Sequence, residues 1–140
     1  MKKKIVILGS TGSIGRNTLS IIRKDIKNFD IILLSTNKNI KRVINQAKEF
    51  KVKNIIISDS KNFLKAKKKY KNLDINFFNS FSKIDSILKK KKVFYSMNSI
   101  IGMDGLKPSL KLIKYSKNIA IVNKEAIICG WNLIKKELVK

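Results

Sequence analysis

The chain has 140 residues, 44% of them hydrophobic, which is enough to bury the core of one domain and excludes a disordered tail. A single cysteine and no histidine exclude an internal disulfide framework and a Cys/His zinc cluster. The formal net charge of +23 comes almost entirely from lysines spread along the chain, which indicates solvated surface residues and no specific nucleic-acid partner.

The chain begins with Met1 and three lysines, and the apolar run Ile5–Leu8 follows them. Four apolar residues are too few for the hydrophobic region of a signal peptide, and no stretch approaches the length of a membrane span. We therefore interpret the run as a β-strand and expect no membrane partner. The single cysteine favours a reducing, cytoplasmic location.

A glycine-rich turn at residues 9–15 (Gly-Ser-Thr-Gly-Ser-Ile-Gly) follows this strand and precedes a stretch with helical periodicity. Glycines at such a turn let the backbone approach a pyrophosphate, whose charge meets the unpaired N–H groups of the helix N-terminus. The spacing is G-x-x-G-x-x-G rather than the commoner G-x-G-x-x-G, and a purely structural turn is the alternative. The flanking strand and helix favour a dinucleotide site.

Apolar runs of strand length alternate with amphipathic segments along the whole chain. This βαβ rhythm is typical of a parallel sheet with helices on both faces, so we predict a doubly wound, Rossmann-like α/β fold forming one domain over residues 1–140. The predicted strands are Lys4–Leu8, Asp30–Leu34, Asn54–Ile57, Asp74–Phe78, Val93–Met97 and Asn118–Val122.

Amphipathic patterns predict the helices between these strands. The lysine-dense third helix is expected at an edge of the sheet. The last helix is expected to be interrupted at Gly130, and the chain ends in it without an evident cap, which indicates a protein cut short. The helix signals are a face of Ile14, Thr18, Ile21 and Ile22; a second helix from an Asn39 cap to Phe50; a third over Lys61–Tyr70; a cap at Ser80 or Ser82; Pro108 in a first turn; and a final helix over Glu125–Lys140.

Four bulky or reactive side chains are interpreted as parts of the core. They are Phe77, Phe78, Cys129 and Trp131. Cys129 lies among apolar neighbours in sequence, which favours packing over chemistry for its thiol.

The residues after the second predicted strand indicate which dinucleotide is preferred. NAD-binding domains usually place Asp or Glu there, to bond the ribose 2′-hydroxyl. Here Ser35-Thr36-Asn37-Lys38-Asn39 contains no acid to repel a 2′-phosphate, and Lys38 with the hydroxyls of Ser35 and Thr36 could hold one. This favours NADP over NAD. The alternative is a plain polar loop in which Asn37 adopts a positive φ and Asn39 caps the helix.

A second polar motif, Asn123-Lys124-Glu125, follows the last predicted strand. It falls at the edge where ligands of open α/β sheets collect, and its side chains could meet a nicotinamide ribose and a charged substrate oxygen. A surface Lys/Glu pair capping the final helix would explain the same residues, so the tripeptide alone is only slightly informative.

Together, the two motifs and their order resemble the N-terminal domain of the 1-deoxy-D-xylulose 5-phosphate reductoisomerases, NADPH-dependent enzymes of isoprenoid biosynthesis. The resemblance covers essentially all 140 residues. It is carried by the glycine turn, by Asn37-Lys38-Asn39, by Gly102 to Pro108 and by Asn123-Lys124-Glu125.

The resemblance implies a role for each matching residue. Thr11, Gly12, Ser13 and Ile14 would hold the phosphates and ribose of NADPH; Asn37, Lys38 and Asn39 would lie at its 2′-phosphate; Asn123 and Glu125 would also contact the cofactor; and Lys124 would reach the substrate, 1-deoxy-D-xylulose 5-phosphate. Asn37 stands where the family often has glycine.

The resemblance also implies a longer enzyme. In the family an Asp-Ser-Glu segment that binds Mg²⁺ or Mn²⁺, a substrate-phosphate site and a lid lie beyond this region, and the whole enzyme is a homodimer. The enzyme isomerises its ketose phosphate and reduces the product with NADPH to 2-C-methyl-D-erythritol 4-phosphate. Residues 1–140 offer no carboxylate cluster and no catalytic residue, so we expect this chain to bind NADPH and to be inactive alone.

Two other classes of protein share part of the pattern. A semialdehyde dehydrogenase would share the glycine turn but would need a catalytic cysteine in a polar site, which Cys129 does not match. A basic nucleic-acid-binding module would rest on charge alone, without an aromatic stacking platform or a recognition helix.

Overall fold

A computed structural model describes residues 1–140 and contains one six-stranded sheet in which every neighbouring pair of strands is parallel. The spatial order is β4-β3-β2-β1-β5-β6. The strands are β1 Lys3–Leu8, β2 Phe29–Thr36, β3 Asn54–Ile57, β4 Asn76–Phe78, β5 Val93–Asn98 and β6 Ser116–Ile121. The chain moves outward from β1 to β4 and returns to β5, so the strand order reverses between β1 and β5. The predicted doubly wound parallel sheet is confirmed.

Six α-helices cover the sheet on both faces. They are α1 Ser13–Arg23, α2 Ile40–Phe50, α3 Ser60–Lys69, α4 Ile84–Leu88, α5 Leu106–Ile113 and α6 Lys124–Leu138. Successive side chains of a strand point to opposite faces, and β1 accordingly places Ile5 and Ile7 in the core under α1 and α2, and Val6 and Leu8 in the core under α4 and α5. None of these helices has the length and hydropathy that a membrane-spanning segment needs.

The buried face of α1 differs from the predicted one. Ile14 is 40% exposed and Ile21 is 69% exposed, whereas Gly15, Leu19 and Ile22 are buried. Gly15 lies directly against the backbone of the glycine turn. Because only glycine permits that approach, the contact turns the face that begins at Gly15 towards the sheet.

Several predicted helix boundaries are confirmed. The side chain of Asn39 caps α2 by accepting a hydrogen bond from the Arg42 amide at 3.1 Å, and Ser80 caps the 3₁₀ turn before α4 by accepting from the Ser82 amide at 3.1 Å. Pro108 lies in the first turn of α5. The lysine-rich helix α3 packs beside β4, the edge strand, as expected.

Helix α6 continues through Gly130, so the predicted interruption is wrong. A Cβ atom at Gly130 would overlap the side chain of Leu106, and glycine therefore serves the close packing of α5 against α6. The buried face of α6 is Ala126, Gly130 and Ile134.

The interpretation of four side chains as core is correct for two of them. Phe77 and Phe78 are partly buried, each against a different one of the two cores. Cys129 is exposed and Trp131 is 51% exposed, because both point away from the face of α6 that packs on α5.

Candidate dinucleotide site

The glycine turn joins β1 to α1 at the carboxyl edge of the sheet. Gly9 has a φ of +74°, which L side chains rarely adopt, and its amide donates to Ser35 Oγ at 2.9 Å. A Cβ at Gly15 would lie 2.5 Å from Ser10 Cα and 2.8 Å from the Ser10 carbonyl carbon. Both glycines are therefore required by the folding of the turn itself.

Gly12 differs from its two neighbours in the motif. Its φ of −76° suits any residue, and a Cβ there would meet only the Gly9 carbonyl oxygen, at an ordinary 3.6 Å. The internal packing of the chain does not demand glycine at this position. The missing side chain instead leaves the backbone open to a groove outside the turn.

The N-terminus of α1 is free to bind an anion. Gly12 is its N-cap residue, no side chain caps the helix, and its first turn contains no acidic residue. The first amides of a helix have no partner within the helix, and the helix dipole favours negative charge beside them. An exposed glycine at such a terminus matches the way dinucleotide folds hold a pyrophosphate.

The groove outside the turn brings the two sequence motifs together. It has a volume of about 310 Å³ and lies between the ends of β1, β5 and β6, where the strand order reverses. The predicted site residues that line it are Gly12, Ser13, Ile14, Asn123, Lys124 and Glu125. The sequence analysis missed Ser99, another lining residue, whose hydroxyl donates to the Leu8 carbonyl at 2.8 Å.

Asn123 connects the loop after β5 to the start of α6. Its side-chain amide donates to the carbonyls of Ile100, at 2.9 Å, and Gly102, and its oxygen accepts from the amides of Glu125 at 2.9 Å and Ala126 at 3.2 Å. All of its donors are engaged, and the residue is 7% exposed. Asn123 therefore positions the wall of the groove. The next residue, Lys124, is exposed and forms no ion pair.

Replacing Asn123 with alanine is expected to destabilise the fold by about 2 kcal/mol, because α6 loses its cap and two loop carbonyls lose their donor. Urea denaturation would measure the change in the free energy of unfolding. Asn132, exposed in the middle of the same helix, provides the control, and its replacement by alanine should change stability by less than about 0.5 kcal/mol. Equal effects of the two substitutions would contradict this role for Asn123.

The two predicted hydroxyls belong to the last two residues of β2, and hydrogen bonds within the fold occupy both of them. Ser35 Oγ accepts from the Gly9 amide, and Thr36 Oγ1 lies 2.7 Å from Thr11 Oγ1. Ser35 and Thr36 are 1% and 3% exposed. The prediction that these two hydroxyls help to hold a 2′-phosphate is therefore wrong, because both face the interior.

Asn37, Lys38 and Asn39 are exposed at the end of β2. Asn37 does not adopt a positive φ, since Lys51 is the only non-glycine residue of the chain that does. Its side-chain oxygen instead accepts from Ser58 Oγ at 3.1 Å, which ties this loop to the end of β3. The family's glycine is therefore not required here.

An acidic residue, Asp59, lies near Lys38. Asp59 follows β3 and caps α3, and its pKa is lowered mainly by the backbone N–H of Asn62, then by the Asn62 side chain, with a smaller contribution from the Lys38 charge. The carboxylate is thus occupied as a helix cap. Asp59 lies after β3 and not at the end of β2, the position that opposes a 2′-phosphate.

The chain does not fit a divalent metal. No three His, Cys, Asp or Glu side chains cluster anywhere in residues 1–140. Mg²⁺ and Mn²⁺ require several oxygen ligands on a fixed scaffold.

An open parallel sheet with a glycine turn at its reversal point, beside a free helix N-terminus and a groove, defines the Rossmann-like class of dinucleotide-binding folds. Comparison with known proteins gives the particular family. The family model of 1-deoxy-D-xylulose 5-phosphate reductoisomerase matches residues 5–130, and the chain belongs to this family. This membership decides against a semialdehyde dehydrogenase and against a nucleic-acid-binding module.

Individual relatives agree with the family model. The 1-deoxy-D-xylulose 5-phosphate reductoisomerase of Pelagibacter ubique is 55% identical over 139 residues, which make up 99% of this chain and 36% of that protein. That of Clostridium tetani is 37% identical, covering 96% of this chain and 36% of the relative. This chain therefore spans about a third of the length of these relatives.

Solved structures show the same fold. The reductoisomerase from Zymomonas mobilis in complex with NADPH matches with a TM-score of 0.89 at 26% identity, over 99% of this chain and 36% of that one. A DOX-P reductoisomerase in complex with NADPH, fosmidomycin and magnesium matches with a TM-score of 0.88 at 27% identity, over 98% of this chain and 34% of that one.

Proposed function

We propose that residues 1–140 are the NADPH-binding domain of a 1-deoxy-D-xylulose 5-phosphate reductoisomerase. The observation that carries the proposal is the open backbone at Gly12 on the uncapped N-terminus of α1, directly beside the groove that reaches Asn123. NADPH is the molecule named in the complexes of two similar structures. Its diphosphate carries the negative charge that this helix terminus favours.

The cofactor would extend along the carboxyl edge of the sheet in both directions from the glycine turn. Thr11, Gly12, Ser13 and Ile14 hold the diphosphate and the adjoining ribose, with the free amides of α1 as donors. Asn37, Lys38 and Asn39 lie at the adenosine end, beyond β2. The nicotinamide end occupies the groove beside Glu125, with Asn123 positioning that wall.

The whole enzyme would isomerise 1-deoxy-D-xylulose 5-phosphate and reduce the product, with NADPH supplying the hydride. Within this chain, Lys124 is the residue placed to bind the substrate, because its free ammonium group lies on the groove next to the nicotinamide end. The metal ligands are not provided by residues 1–140, so the chain alone is expected to bind NADPH without turnover. We expect the whole enzyme to act as a cytoplasmic homodimer.

Replacing Lys38 with alanine should weaken NADPH binding about tenfold and leave NADH binding unchanged, because only NADPH carries the 2′-phosphate that the ammonium group attracts. Nicotinamide fluorescence would follow both titrations at moderate ionic strength. Lys48, exposed in the last turn of α2, serves as a control with the same change in charge and should leave both affinities unchanged. A tenfold loss for NADH as well would contradict the assignment of Lys38 to the 2′-phosphate.

A further inference from the structure

The three arginines of the chain are gathered on one surface. Only three of its 32 basic residues are arginine, and all three line a cleft of about 270 Å³ between α1 and α2. Arg16 and Arg23 come from α1, and Arg42 comes from the first turn of α2. Lysines dominate every other charged surface of the molecule, so this cleft differs from them in the kind of cation that it presents.

The two ends of the cleft differ in charge. At the end remote from the glycine turn, Arg23 Nη2 donates to Glu49 Oε2 at 3.0 Å, and the pair raises the pKa of Arg23 and lowers that of Glu49. Arg16 and Arg42 form no ion pair. The end next to the turn therefore carries two guanidinium groups without a compensating carboxylate.

Arg42 contacts the glycine turn itself. Its Nη1 donates to the Thr11 carbonyl oxygen at 3.4 Å, which uses one of the five N–H donors of the guanidinium group. One helical turn further along α2, Gln46 Nε2 donates to the Ser10 carbonyl oxygen at 2.9 Å, and Gln46 Oε1 accepts from Ser10 Oγ at 2.8 Å. Because Gln46 is buried, these bonds anchor α2 to the turn and hold Arg42 beside it.

Arg42 and Lys38 approach the same corner of the sheet. Asn39, the residue after Lys38, caps α2 through a 3.1 Å hydrogen bond from the Arg42 amide. Lys38 thus lies in the loop between β2 and α2, and Arg42 lies four residues later, in the first turn of α2, where its side chain contacts Thr11. An adenosine ribose that continues from the glycine turn towards the end of β2 would pass between these two cations.

We propose that Arg42 donates to the adenosine 2′-phosphate of the cofactor and is a main determinant of the preference for NADPH over NADH. This assignment rests on the proposed function and specifies its adenosine end. A guanidinium group presents paired donors that match phosphate oxygens, whereas the ammonium group of Lys38 acts as a point charge. Arg16, which lines the same cleft and forms no ion pair, adds positive charge there.

The test compares NADPH and NADH affinities of the 140-residue chain with those of Arg42→Ala and Arg42→Lys. Arg42→Ala should weaken NADPH binding about tenfold or more and change NADH binding less than about twofold, and Arg42→Lys should lie between. Arg23→Ala removes the same charge from the far end of the cleft and should change both affinities less than about twofold. A competition experiment provides a second readout. Arg42→Ala should weaken the binding of adenosine 2′,5′-bisphosphate, which carries the 2′-phosphate, and should leave the binding of adenosine 5′-monophosphate nearly unchanged.

The outcomes separate this assignment from the proposed function. The role of Arg42 would be overturned if Arg42→Ala left the ratio of NADPH to NADH affinity unchanged while Lys38→Ala reduced it. The proposed NADPH site would not be affected by that result. Failure of the unsubstituted chain to bind either nucleotide would overturn both. Should Arg42→Ala fail to fold, Arg42→Gln removes the charge and keeps an amide donor for the Thr11 carbonyl. The ratio of NADPH to NADH affinity in that variant then tests the role of Arg42.

Discussion

Replacing Gly12 with valine should weaken NADPH binding at least about 100-fold, equivalent to about 2.7 kcal/mol, while the protein remains folded. A side chain at this position meets nothing closer than the Gly9 carbonyl oxygen at 3.6 Å, and the backbone φ of −76° suits valine. Its methyl groups would instead stand over the free amides of α1, where the diphosphate must approach. The stability cost should be about 1 kcal/mol, because valine is a poor N-cap residue.

Fluorescence titration with NADPH and urea denaturation would together measure this separation of binding from folding. Gly102 provides a contrast, because it also has open space around its Cβ position but lies in the loop after β5 with a φ of +78°. Gly102→Ala should cost stability through backbone strain and should weaken binding far less. Retention of full NADPH affinity by Gly12→Val would mean that the cofactor does not approach this backbone.

Replacing Gly15 with alanine should destabilise the protein by about 3 kcal/mol, although alanine has the higher helix propensity by about 1 kcal/mol. The added Cβ would lie 2.5 Å from Ser10 Cα and 2.8 Å from the Ser10 carbonyl carbon. Both atoms belong to the backbone, so no rotamer change can relieve the contact, and α1 must shift away from the turn. Leu19 and Ile22 would then leave their packed positions in the core beneath α1.

The midpoint of urea denaturation would measure this effect. Ser20, exposed on the same helix, is the matched control, and Ser20→Ala should raise stability slightly because alanine is the better helix former. If the backbone is closely packed at Gly15, the two substitutions should change the free energy of unfolding in opposite directions. A stabilising Gly15→Ala would contradict the contact between α1 and the turn.

The strands and their arrangement could be predicted because they depend on local apolar runs and on general rules of connection. Strand β3 has its predicted bounds, Asn54–Ile57. Strand β4 is shorter than predicted, because the amide of Ile75 donates to the Leu73 carbonyl at 2.8 Å in a local turn. The meeting of the glycine turn with Asn123 at one groove also followed from the sequence, since the ends of parallel strands share an edge.

Features that depend on contacts between distant segments could not be predicted. Periodicity alone placed Ile14 and Ile21 on the buried face of α1, but the contact of Gly15 with the turn determines that face. The exposure of Cys129 and Trp131 follows in the same way from the packing of Gly130 against Leu106.

The polar contacts inside the site could not be predicted either, because they also join segments that are distant in the sequence. The sequence places the Ser35 hydroxyl among the groups that could hold a phosphate, but in the fold this hydroxyl accepts a hydrogen bond from the Gly9 amide. The arginine cleft likewise requires α1 and α2 to lie side by side, because Arg16 and Arg42 are 26 residues apart in the chain. Sequence spacing carried no signal for either feature.

Equilibrium titration of the unsubstituted 140-residue chain with NADPH and with NADH tests the central claim most directly. Saturable binding of one NADPH per chain, at least about tenfold tighter than that of NADH, is the predicted result, because the cations at the end of β2 favour the 2′-phosphate. Absence of saturable binding for both nucleotides, or tighter binding of NADH, would contradict the assignment of residues 1–140 as an NADPH-binding domain.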